Sequence, residues 1–191
     1  SEMGVRIVLL GPPGSGKGTQ AAFLARHFGV PAISTGEMLR GAVSAGSELG
    51  QRVKNTLNAG QLVDDATMAD LVRDRLSRSD AESGFLLDGY PRTLPQADTL
   101  SAILAGGNVA LDRVLLIEVP EPVLLARALA RKREDDTEDV IRERIRVYAR
   151  QTEPLVEYYR NRDLLAEIDG NQAVAAVTTA LTAALQSGLE S

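Results

Sequence analysis

A short apolar run that ends in the turn Gly-Pro-Pro-Gly-Ser-Gly-Lys, residues 11–17, constrains the fold of this chain more than any other feature. Residues 5–10 contain four consecutive aliphatic side chains and are closed by glycine and proline, which predicts a buried strand. Beyond the turn, apolar residues recur at helical spacing, namely Ala21, Leu24, Ala25 and Phe28. Gly29 is suited to end that helix. The segment therefore predicts a strand, a tight turn and a helix in direct succession.

The turn matches the pattern G-x-x-x-x-G-K, and its place between a strand and a helix is the context in which that pattern binds phosphate. Glycines let backbone N–H groups point inward around phosphate oxygens, and the helix N-terminus adds partial positive charge. Lys17 can reach the β- and γ-phosphates of a nucleoside triphosphate as a mobile point charge. The alternative, a glycine-rich turn that binds nothing, is weakened by the lysine and by both flanking elements. The candidate triphosphate-binding residues of the turn and helix start are Gly14, Ser15, Gly16, Lys17, Gly18 and Thr19.

The rest of the chain alternates predicted strands with helical patterns. The further strands are predicted at residues 32–34, 84–88, 114–119 and 164–168. This alternation predicts an α/β fold, a parallel sheet with helices on both faces, whose ligands lie beyond the carboxyl ends of the strands. We expect residues 35–63 to form short helices that stand away from the core. The clearest helix covers residues 137–160, and we expect Pro154 to kink or break it.

Composition bounds the location and partners of the chain. Its 191 residues, 44% of them hydrophobic, suit a single domain over residues 1–191. A net charge of -5 argues against nucleic acid or an anionic membrane as a partner, so an anion site must be a local cluster of arginine and lysine. The chain has no cysteine, which excludes disulfides and thiolate metal sites and is compatible with a cytoplasmic location. The apolar run at residues 7–10 is far shorter than the roughly 20 residues of a membrane span.

Five segments, in order along nearly the whole chain, resemble the nucleoside monophosphate kinases, and adenylate kinases most. The first is Gly16-Lys17-Gly18-Thr19-Gln20, the form that the phosphate-binding turn takes in this family. The others are residues 34–40 (STGEMLR), residues 60–63 (GQLV), residues 85–93 (FLLDGYPRT) with Gln96, and residues 133–136 (REDD) followed by Arg144, Tyr148 and residues 152–155 (TEPL). Five ordered motifs are far more specific than one phosphate-binding turn.

The resemblance implies a P-loop NTPase fold with a five-stranded parallel sheet. It also implies a small AMP-binding segment at residues 34–63 and a short lid loop of arginines at residues 130–136. The implied reaction is reversible transfer of the terminal phosphoryl group of ATP to AMP, giving two ADP, in the presence of Mg²⁺. The partners it implies are ATP, AMP and ADP, and we expect a cytoplasmic monomer.

The AMP-binding residues are implied by the same resemblance. Thr35 and Gln96 match the residues that line the AMP base, and a glutamine amide can pair with both adenine N1 and the exocyclic amine. Read without the resemblance, Thr35 is a helix N-cap and Gln96 a solvated helix residue. The full set implied for AMP is Thr35, Arg40, Gln61, Leu62, Val63, Gly89, Tyr90, Pro91, Arg92, Gln96, Arg133 and Arg144.

Six arginines match phosphate ligands of the family. By resemblance, Arg40 and Arg92 hold the AMP phosphate, Arg127 and Arg131 face the ATP phosphates, and Arg133 and Arg144 bridge the transfer site. Guanidinium groups stay charged and grip phosphate bidentately, which suits a reaction that brings two polyanions together. The implied catalytic residues are Lys17, Arg92, Arg127, Arg133 and Arg144.

For any single arginine the alternative is a surface ion pair of little energetic value, and Arg142 and Arg146 are better candidates for that role. His27, the only histidine, receives no role. Gly170 resembles the family's backbone contact to the ATP adenine.

The metal is expected at Asp88, which ends its strand beside the strand of the phosphate-binding turn. A carboxylate there can hold Mg²⁺ through water, because Mg²⁺ keeps much of its hydration. The general motif has Ser or Thr directly after the lysine, but this chain has Gly18 there and Thr19 next. Whether Thr19 takes part, or only water and Asp88, stays open at this point.

Three rival functions remain. A kinase of another nucleoside monophosphate shares most of these motifs. A P-loop GTPase switch requires a guanine-reading N-K-x-D segment, which the sequence lacks. A catalytically inactive nucleotide-binding module is disfavoured by the intact Lys17, Arg92, Arg133 and Arg144.

Overall fold

The computed structural model describes residues 4–131 and 137–189, and a five-stranded sheet with only parallel strand pairs lies at its centre. The strands are β1 (Arg6–Leu10), β2 (Ala32–Ser34), β3 (Phe85–Asp88), β4 (Arg113–Glu118) and β5 (Leu165–Asp169), in the spatial order β2-β3-β1-β4-β5. Each predicted strand is present, and each of its ends lies within one residue of the predicted one. The predicted parallel α/β fold is confirmed.

Eight α-helices lie among the described residues, together with a short 3₁₀ turn at Ser79–Ala81. The helices are α1 (Lys17–Phe28), α2 (Thr35–Ala45), α3 (Glu48–Asn58), α4 (Asp65–Leu76), α5 (Leu94–Gly106), α6 (Glu121–Arg131), α7 (Glu138–Arg160) and α8 (Val174–Leu189). In five of them a side-chain oxygen before the first turn accepts a backbone N–H bond and so fixes where the helix begins. These capping residues are Ser34, Ser47, Asp64, Thr93 and Thr137.

Each face of the sheet carries its own layer of helices. Side chains alternate along β1, so Ile7 and Leu9 pack with α1 and α8 in one apolar cluster. Val8 and Leu10 point to the other face and belong to a second cluster, to which α2, α3, α4, α5 and α7 contribute. A strand buried on both faces reads as a continuous apolar run, which is why residues 7–10 are all aliphatic.

The expectation that residues 35–63 stand away from the core was wrong. They form α2 and α3, as helices were predicted there, but Met38, Ala42 and Val53 are buried in the larger apolar cluster. Their spacing places one apolar side of each helix on the sheet layer, while the opposite side stays exposed. The scattered glycines of this segment obscured that pattern.

Pro154 does not break α7, which runs without interruption from Glu138 to Arg160. A proline removes one helical donor and leaves the carbonyl four residues earlier without its partner. Both Pro154 and Arg150 are exposed, so water can satisfy the freed carbonyl.

The topology determines where a ligand can bind. From β1 the chain first builds β2 and β3 on one side and then β4 and β5 on the other. The connections that leave the carboxyl ends of β1, β3 and β4 therefore diverge and open a crevice at this switch point. The glycine-rich turn follows β1 at that edge, between residue 88 of β3 and residue 118 of β4. Among the described residues, no helix is both long and apolar enough to cross a membrane.

Candidate active site

The glycine-rich turn adopts a backbone that requires glycine at two positions. Gly14 has φ 88° and Gly16 has φ 86°, both in the left-handed region. Within the turn, the N–H of Ser15 donates to the carbonyl of Pro12 at 3.0 Å. The Ser15 side chain is buried, and its Oγ has no hydrogen-bond partner among the described residues. A buried hydroxyl of this kind, in a turn at a helix N-terminus, suits an anionic oxygen.

Lys17, the first residue of α1, forms an ion pair with Asp88, the last residue of β3. Their Nζ and Oδ1 atoms are 2.5 Å apart, and about a quarter of each side chain is exposed. The contact follows from the sheet register, in which Asp88 lies beside Leu9 of β1. The structure therefore places the predicted phosphate-binding lysine and the predicted metal carboxylate at the same point.

Two arginines of α6 lie against one side of the turn. Arg127 donates to the Gly14 carbonyl at 2.8 Å and to the Gly170 carbonyl at 3.3 Å, and so connects the turn to the loop after β5. The guanidinium of Arg131 lies close to Gly14, where a Cβ would be 2.9 Å from its Nη2. These arginines, with Pro12, Lys17 and Thr19, line a cavity of about 630 Å³. Gly16 and Gly18 also line it.

On the other side of Lys17, the carbonyl of Gly89 is the meeting point of several predicted residues. It accepts a hydrogen bond from Arg92 Nε at 2.8 Å and another from Thr35 Oγ1 at 3.2 Å. Thr35 is therefore not a helix cap, because Ser34 caps α2. The guanidinium of Arg40 folds back over Gly36, where a Cβ would be 2.9 Å from its Nη1. Arg92 and Arg40 thus lie next to the two segments that the hydrogen bond from Thr35 to Gly89 joins.

Gln96 is held through both ends of its amide. Its Oε1 accepts from the backbone N–H of Arg92 at 2.8 Å, and its Nε2 donates to Asp65 Oδ1, also at 2.8 Å. Gln96 is accordingly not the solvated helix residue of the alternative interpretation. Asp65, the first residue of α4, was not recognised from the sequence, because its partner is 31 residues away.

A second cavity, of about 280 Å³, opens between the turn and α7. It is lined by Lys17, Gly89, Pro91 and Arg92 on one side and by Tyr148, Gln151 and Thr152 on the other. Burial raises the pKa of the Tyr148 phenol. Hydrogen bonds with the Thr152 side chain and the Gly11 backbone act in the opposite direction and lower this pKa. Gln151 was missed by sequence reasoning, because an exposed glutamine on a helix has no distinguishing pattern. Lys17 lines both this cavity and the one beside Arg127.

Burial differs widely among four residues of the predicted AMP-binding set. Tyr90 is 1% exposed and packs in the larger apolar cluster, where burial raises its pKa to about 12. Leu62 is 94% exposed, Gln61 is also exposed, and Val63 packs partly against the core. The structure does not bring the side chains of Gln61 and Leu62 into contact with the arginine-lined cavities.

Two arginines of α7 form surface ion pairs, as expected for them. Arg142 pairs with Glu138 at 2.7 Å and Arg146 with Glu121 at 3.7 Å. Arg144 lines a cavity of about 250 Å³ together with Gly14 and Arg131. Arg133 and residues 132–136 of the predicted lid loop lie outside the described residues.

The described residues suit a magnesium ion that keeps most of its water. No group of three or more Asp, Glu, His or Cys side chains among them could enclose a metal. One carboxylate, Asp88, lies at the glycine-rich turn beside Lys17, and the Ser15 hydroxyl of that turn has no hydrogen-bond partner among the described residues. Mg²⁺ is commonly bound by one or two carboxylates with water and substrate phosphates, so this set fits it better than a fully protein-enclosed ion.

The comparisons with known proteins all match one family. A family model described as adenylate kinase matches residues 9–164. An adenylate kinase of Kocuria rhizophila is 46% identical over 185 residues, which cover 95% of this chain and 98% of that protein. One from Rhodococcus erythropolis is 47% identical over 181 residues, 95% of this chain and 99% of the relative. One from Mycobacteroides abscessus is 50% identical over 157 residues, 82% and 87% of the two chains.

Proposed function

This chain belongs to the adenylate kinase family and is an ATP:AMP phosphotransferase; we propose that Lys17, between two arginine-lined cavities, marks the point where the phosphoryl group passes from ATP to AMP. The observation that carries this proposal is that Lys17 lines the cavity beside Arg127 and Arg131 and also the one beside Arg92. A donor and an acceptor bound in these two cavities would meet at its ammonium group.

On the donor side, the glycine-rich turn holds the ATP phosphates. Its residues 14–19 offer backbone N–H groups at the start of α1, and Arg127 and Arg131 add charge that does not depend on pH. The adenine lies toward Gly170, because Arg127 already connects the turn to that carbonyl. The lid that the family resemblance implies for this side is residues 130–136, of which 132–136 lie outside the described residues.

On the acceptor side, residues 34–63 form the AMP-binding segment. Arg40 and Arg92 hold the AMP phosphate, and Thr35 and Gln96 contact its base, which places the phosphate toward Lys17. Backbone groups of residues 61–63 and 89–91 complete the contact. Tyr90 supports this loop from the core, since its hydroxyl donates to the Gln96 carbonyl at 3.3 Å.

The transfer needs positioning and charge rather than a general base. The AMP phosphate is already an anionic nucleophile, so no side chain has to remove a proton from it. Negative charge spreads over the transferring phosphoryl oxygens, and Lys17, Arg127 and Arg92 converge on it, with Arg133 and Arg144 closing from the lid side. Transfer is in line, with no covalent enzyme intermediate.

Asp88 would hold Mg²⁺ through water, and the ion would supply positive charge that neutralises part of the phosphate charge. Thr19 is exposed and lines the triphosphate cavity, so it lies within the same part of the cradle. Asp88 also orients Lys17 through their ion pair.

We further propose a cytoplasmic monomer that has no nucleic-acid or membrane partner. The net charge of -5 and the lack of cysteine fit an intracellular enzyme whose only large anionic ligands are nucleotides.

The proposed acceptor site is tested by two substitutions with different expected signatures. Gln96→Ala removes the base contacts, together with the amide's own bonds to Asp65 and to the Arg92 backbone, and leaves the Arg40 and Arg92 guanidinium groups in place. The kcat/KM for AMP should therefore fall about tenfold, the effect of one or two lost hydrogen bonds. The ATP KM should not change, and discrimination against CMP and UMP should decrease. Arg92→Ala should impair AMP, CMP and UMP alike, because all three carry the same phosphate.

The measurement is kcat/KM for the three monophosphates at fixed ATP, in the parent and in both variants. An unchanged AMP preference in the Gln96→Ala enzyme would exclude base reading by this residue. A parent enzyme that favours CMP or UMP would restrict the assignment to a kinase of another monophosphate.

A further inference from the structure

We propose that Asp65 is a specificity-determining positioning residue, which orients the Gln96 amide so that the enzyme accepts a 6-amino purine and rejects a 6-oxo purine. The inference rests on the proposed AMP site, in which Gln96 contacts the base. It adds to that site a residue that does not itself touch the nucleotide and acts through Gln96.

The orientation of the Gln96 amide is set by two partners of opposite character. The carboxylate of Asp65 can only accept, so it requires the amide NH₂, and the two atoms are 2.8 Å apart. The backbone N–H of Arg92 can only donate, so it requires the amide oxygen, also at 2.8 Å. Rotating the amide by half a turn would place oxygen against carboxylate and NH₂ against N–H. Both hydrogen bonds would be lost, with two acceptors facing each other at one end of the amide and two donors at the other.

Each end of the held amide keeps one bond for a ligand. The Nε2 atom has a second hydrogen, and Oε1 has a second lone pair. These present one donor and one acceptor to the base. The N1 atom of adenine accepts and its exocyclic amine donates, so the held amide matches the adenine edge.

A 6-oxo purine presents the reverse pattern, with a hydrogen on N1 and an oxygen acceptor at C6. A freely rotating glutamine could turn to match either edge, and so would discriminate poorly. Discrimination therefore needs a group that prevents the rotation, and a carboxylate does so because it has no donor to offer. Gln96 is only half-buried, so packing alone does not hold its amide in one orientation.

The position of Asp65 suits this role. It is the first residue of α4, where the helix N-terminus favours a negative charge. The neighbouring Asp64 is the helix cap, whose Oδ1 accepts from the Thr67 backbone N–H at 2.7 Å, whereas the Gln96 amide donates to Asp65. Two adjacent carboxylates at one helix start thus have separate partners, which provides a matched control.

The test compares AMP with IMP, which differs at C6 and N1 and carries the same ribose phosphate. In the Asp65→Asn enzyme the new amide can turn either its oxygen or its NH₂ toward Gln96, so the flipped orientation is no longer opposed at that end. We expect the ratio of kcat/KM for AMP to that for IMP to fall about tenfold. The fall should come from a higher KM for AMP with kcat within about twofold of the parent, and the ATP KM should stay unchanged.

Asp64→Asn is the control, because it removes the same charge from the same helix start and asparagine caps a helix as well as aspartate. Its AMP:IMP ratio should equal that of the parent. A merely structural or electrostatic role of Asp65 would change the KM values for AMP and IMP by the same factor and leave their ratio unchanged. Melting temperatures of both variants establish that they are folded.

The outcomes separate this inference from the function on which it rests. If Gln96→Ala lowers the AMP:IMP ratio but Asp65→Asn keeps it within twofold of the parent, the orienting role of Asp65 is excluded and base reading by Gln96 stands. If Gln96→Ala leaves the ratio unchanged, Gln96 does not read the base, and both ideas fail. A tenfold fall in both variants, with Asp64→Asn unchanged, supports both.

Discussion

Lys17 forms an ion pair within the protein itself, because its Nζ lies 2.5 Å from Oδ1 of Asp88. An incoming phosphate must compete with this carboxylate for the same ammonium group. A lysine suits such an exchange, because its compact charge sits on a flexible stem and can turn between two partners. At the scale of single residues, the ion pair thus joins the predicted metal carboxylate to the phosphate-binding lysine.

Replacing Lys17 tests that arrangement. Lys17→Met should leave the protein folded, because methionine keeps most of the aliphatic stem and Lys17 is not part of the apolar clusters of the core. Turnover should fall about 100-fold or more, since a charge that stabilises the transition state is lost. The measurement is kcat by ADP formation, with circular dichroism as the check on folding.

Arg26→Met is a suitable control, because Arg26 is an exposed cation on the same helix, α1. Its kcat should match that of the parent. A folded Lys17→Met enzyme that turns over within a few-fold of the parent would contradict the assignment of the phosphate-binding turn.

At the scale of elements, the least expected feature is a buried arginine that joins three of them. The Arg75 side chain, in α4, is 9% exposed. It forms two hydrogen bonds with Asp80 of the 3₁₀ turn, at 2.8 and 2.9 Å, and one with Glu37 of α2 at 3.1 Å. Bidentate arginine–carboxylate pairs are strong and directional, so Arg75 fixes how α2, the first helix of the proposed AMP-binding segment, lies on α4.

Removing Arg75 should therefore destabilise the protein. Arg75→Met keeps much of the apolar stem but leaves two carboxylates without their shared partner, and we expect a loss of about 2–3 kcal/mol. Arg73→Met is the control on the same helix, because Arg73 is 60% exposed and its pair with Asp70 should contribute less than about 1 kcal/mol. Urea denaturation measures both. Equal midpoints for the two variants would show that the Arg75 cluster does not contribute to stability.

The same cluster makes part of the stability depend on pH. The hydrogen bonds from Arg75 lower the pKa of Asp80, so the folded protein holds this carboxylate ionised more readily than the unfolded chain does. A lowered pKa gives stability that is present above about pH 4, the ordinary range of aspartate, and is lost as the pH falls through the lowered value. The difference in stability between the parent and Arg75→Met should shrink over that acidic range.

At the scale of the whole molecule, the proposed AMP-binding segment is anchored at its ends and, between them, packs one side on the core and exposes the other. Thr35 bonds to Gly89 at one end, and Asp65, just after the segment, bonds to Gln96. Between these anchors much of α3 is exposed, and Leu62 is 94% exposed, an arrangement that leaves apolar surface to bury on closure. Closing this segment over bound nucleotides would exclude water and so prevent hydrolysis of ATP.

Hydrogen exchange can detect that closure. A bisubstrate ligand, two adenosines joined by a chain of phosphates, should slow amide exchange in residues 34–63, because the segment would pack on the ligand. Helix α8 lies in the other helical layer, with α1, and should exchange at the same rate with and without the ligand. Unchanged exchange in residues 34–63 at saturating ligand would argue against a mobile segment.

Much of the fold and part of the site were predictable, because they depend on neighbours in the chain. The strand bounds followed from short apolar runs closed by glycine and proline, and α1 followed from apolar residues three and four apart. The position of Asp88, at the end of a strand beside the strand of the phosphate-binding turn, was also expected, and the sheet register confirms it.

Other features depend on contacts between residues far apart in the chain, and these were not predictable. Nothing near Arg75 indicates that it is buried, and an arginine on a polar helix is usually a surface residue. Asp65 also looks like an ordinary acidic residue of a helix start. The burial of α2 and α3 was missed for the same reason, because it requires knowing which side of each helix faces the sheet.

The sequence by itself determined the sheet, the phosphate-binding turn and the identity of the charged residues, because backbone conformation and apolar periodicity are local properties of the chain. The tertiary structure alone decided which of those charges meet. It placed Lys17 on Asp88 and between two cavities, closed Arg127 onto the turn, buried Arg75, and set Asp65 against Gln96. The physical reason is that hydrogen bonds and ion pairs act over about 3 Å, whereas the residues that form them are 31 to 113 positions apart in three of these contacts.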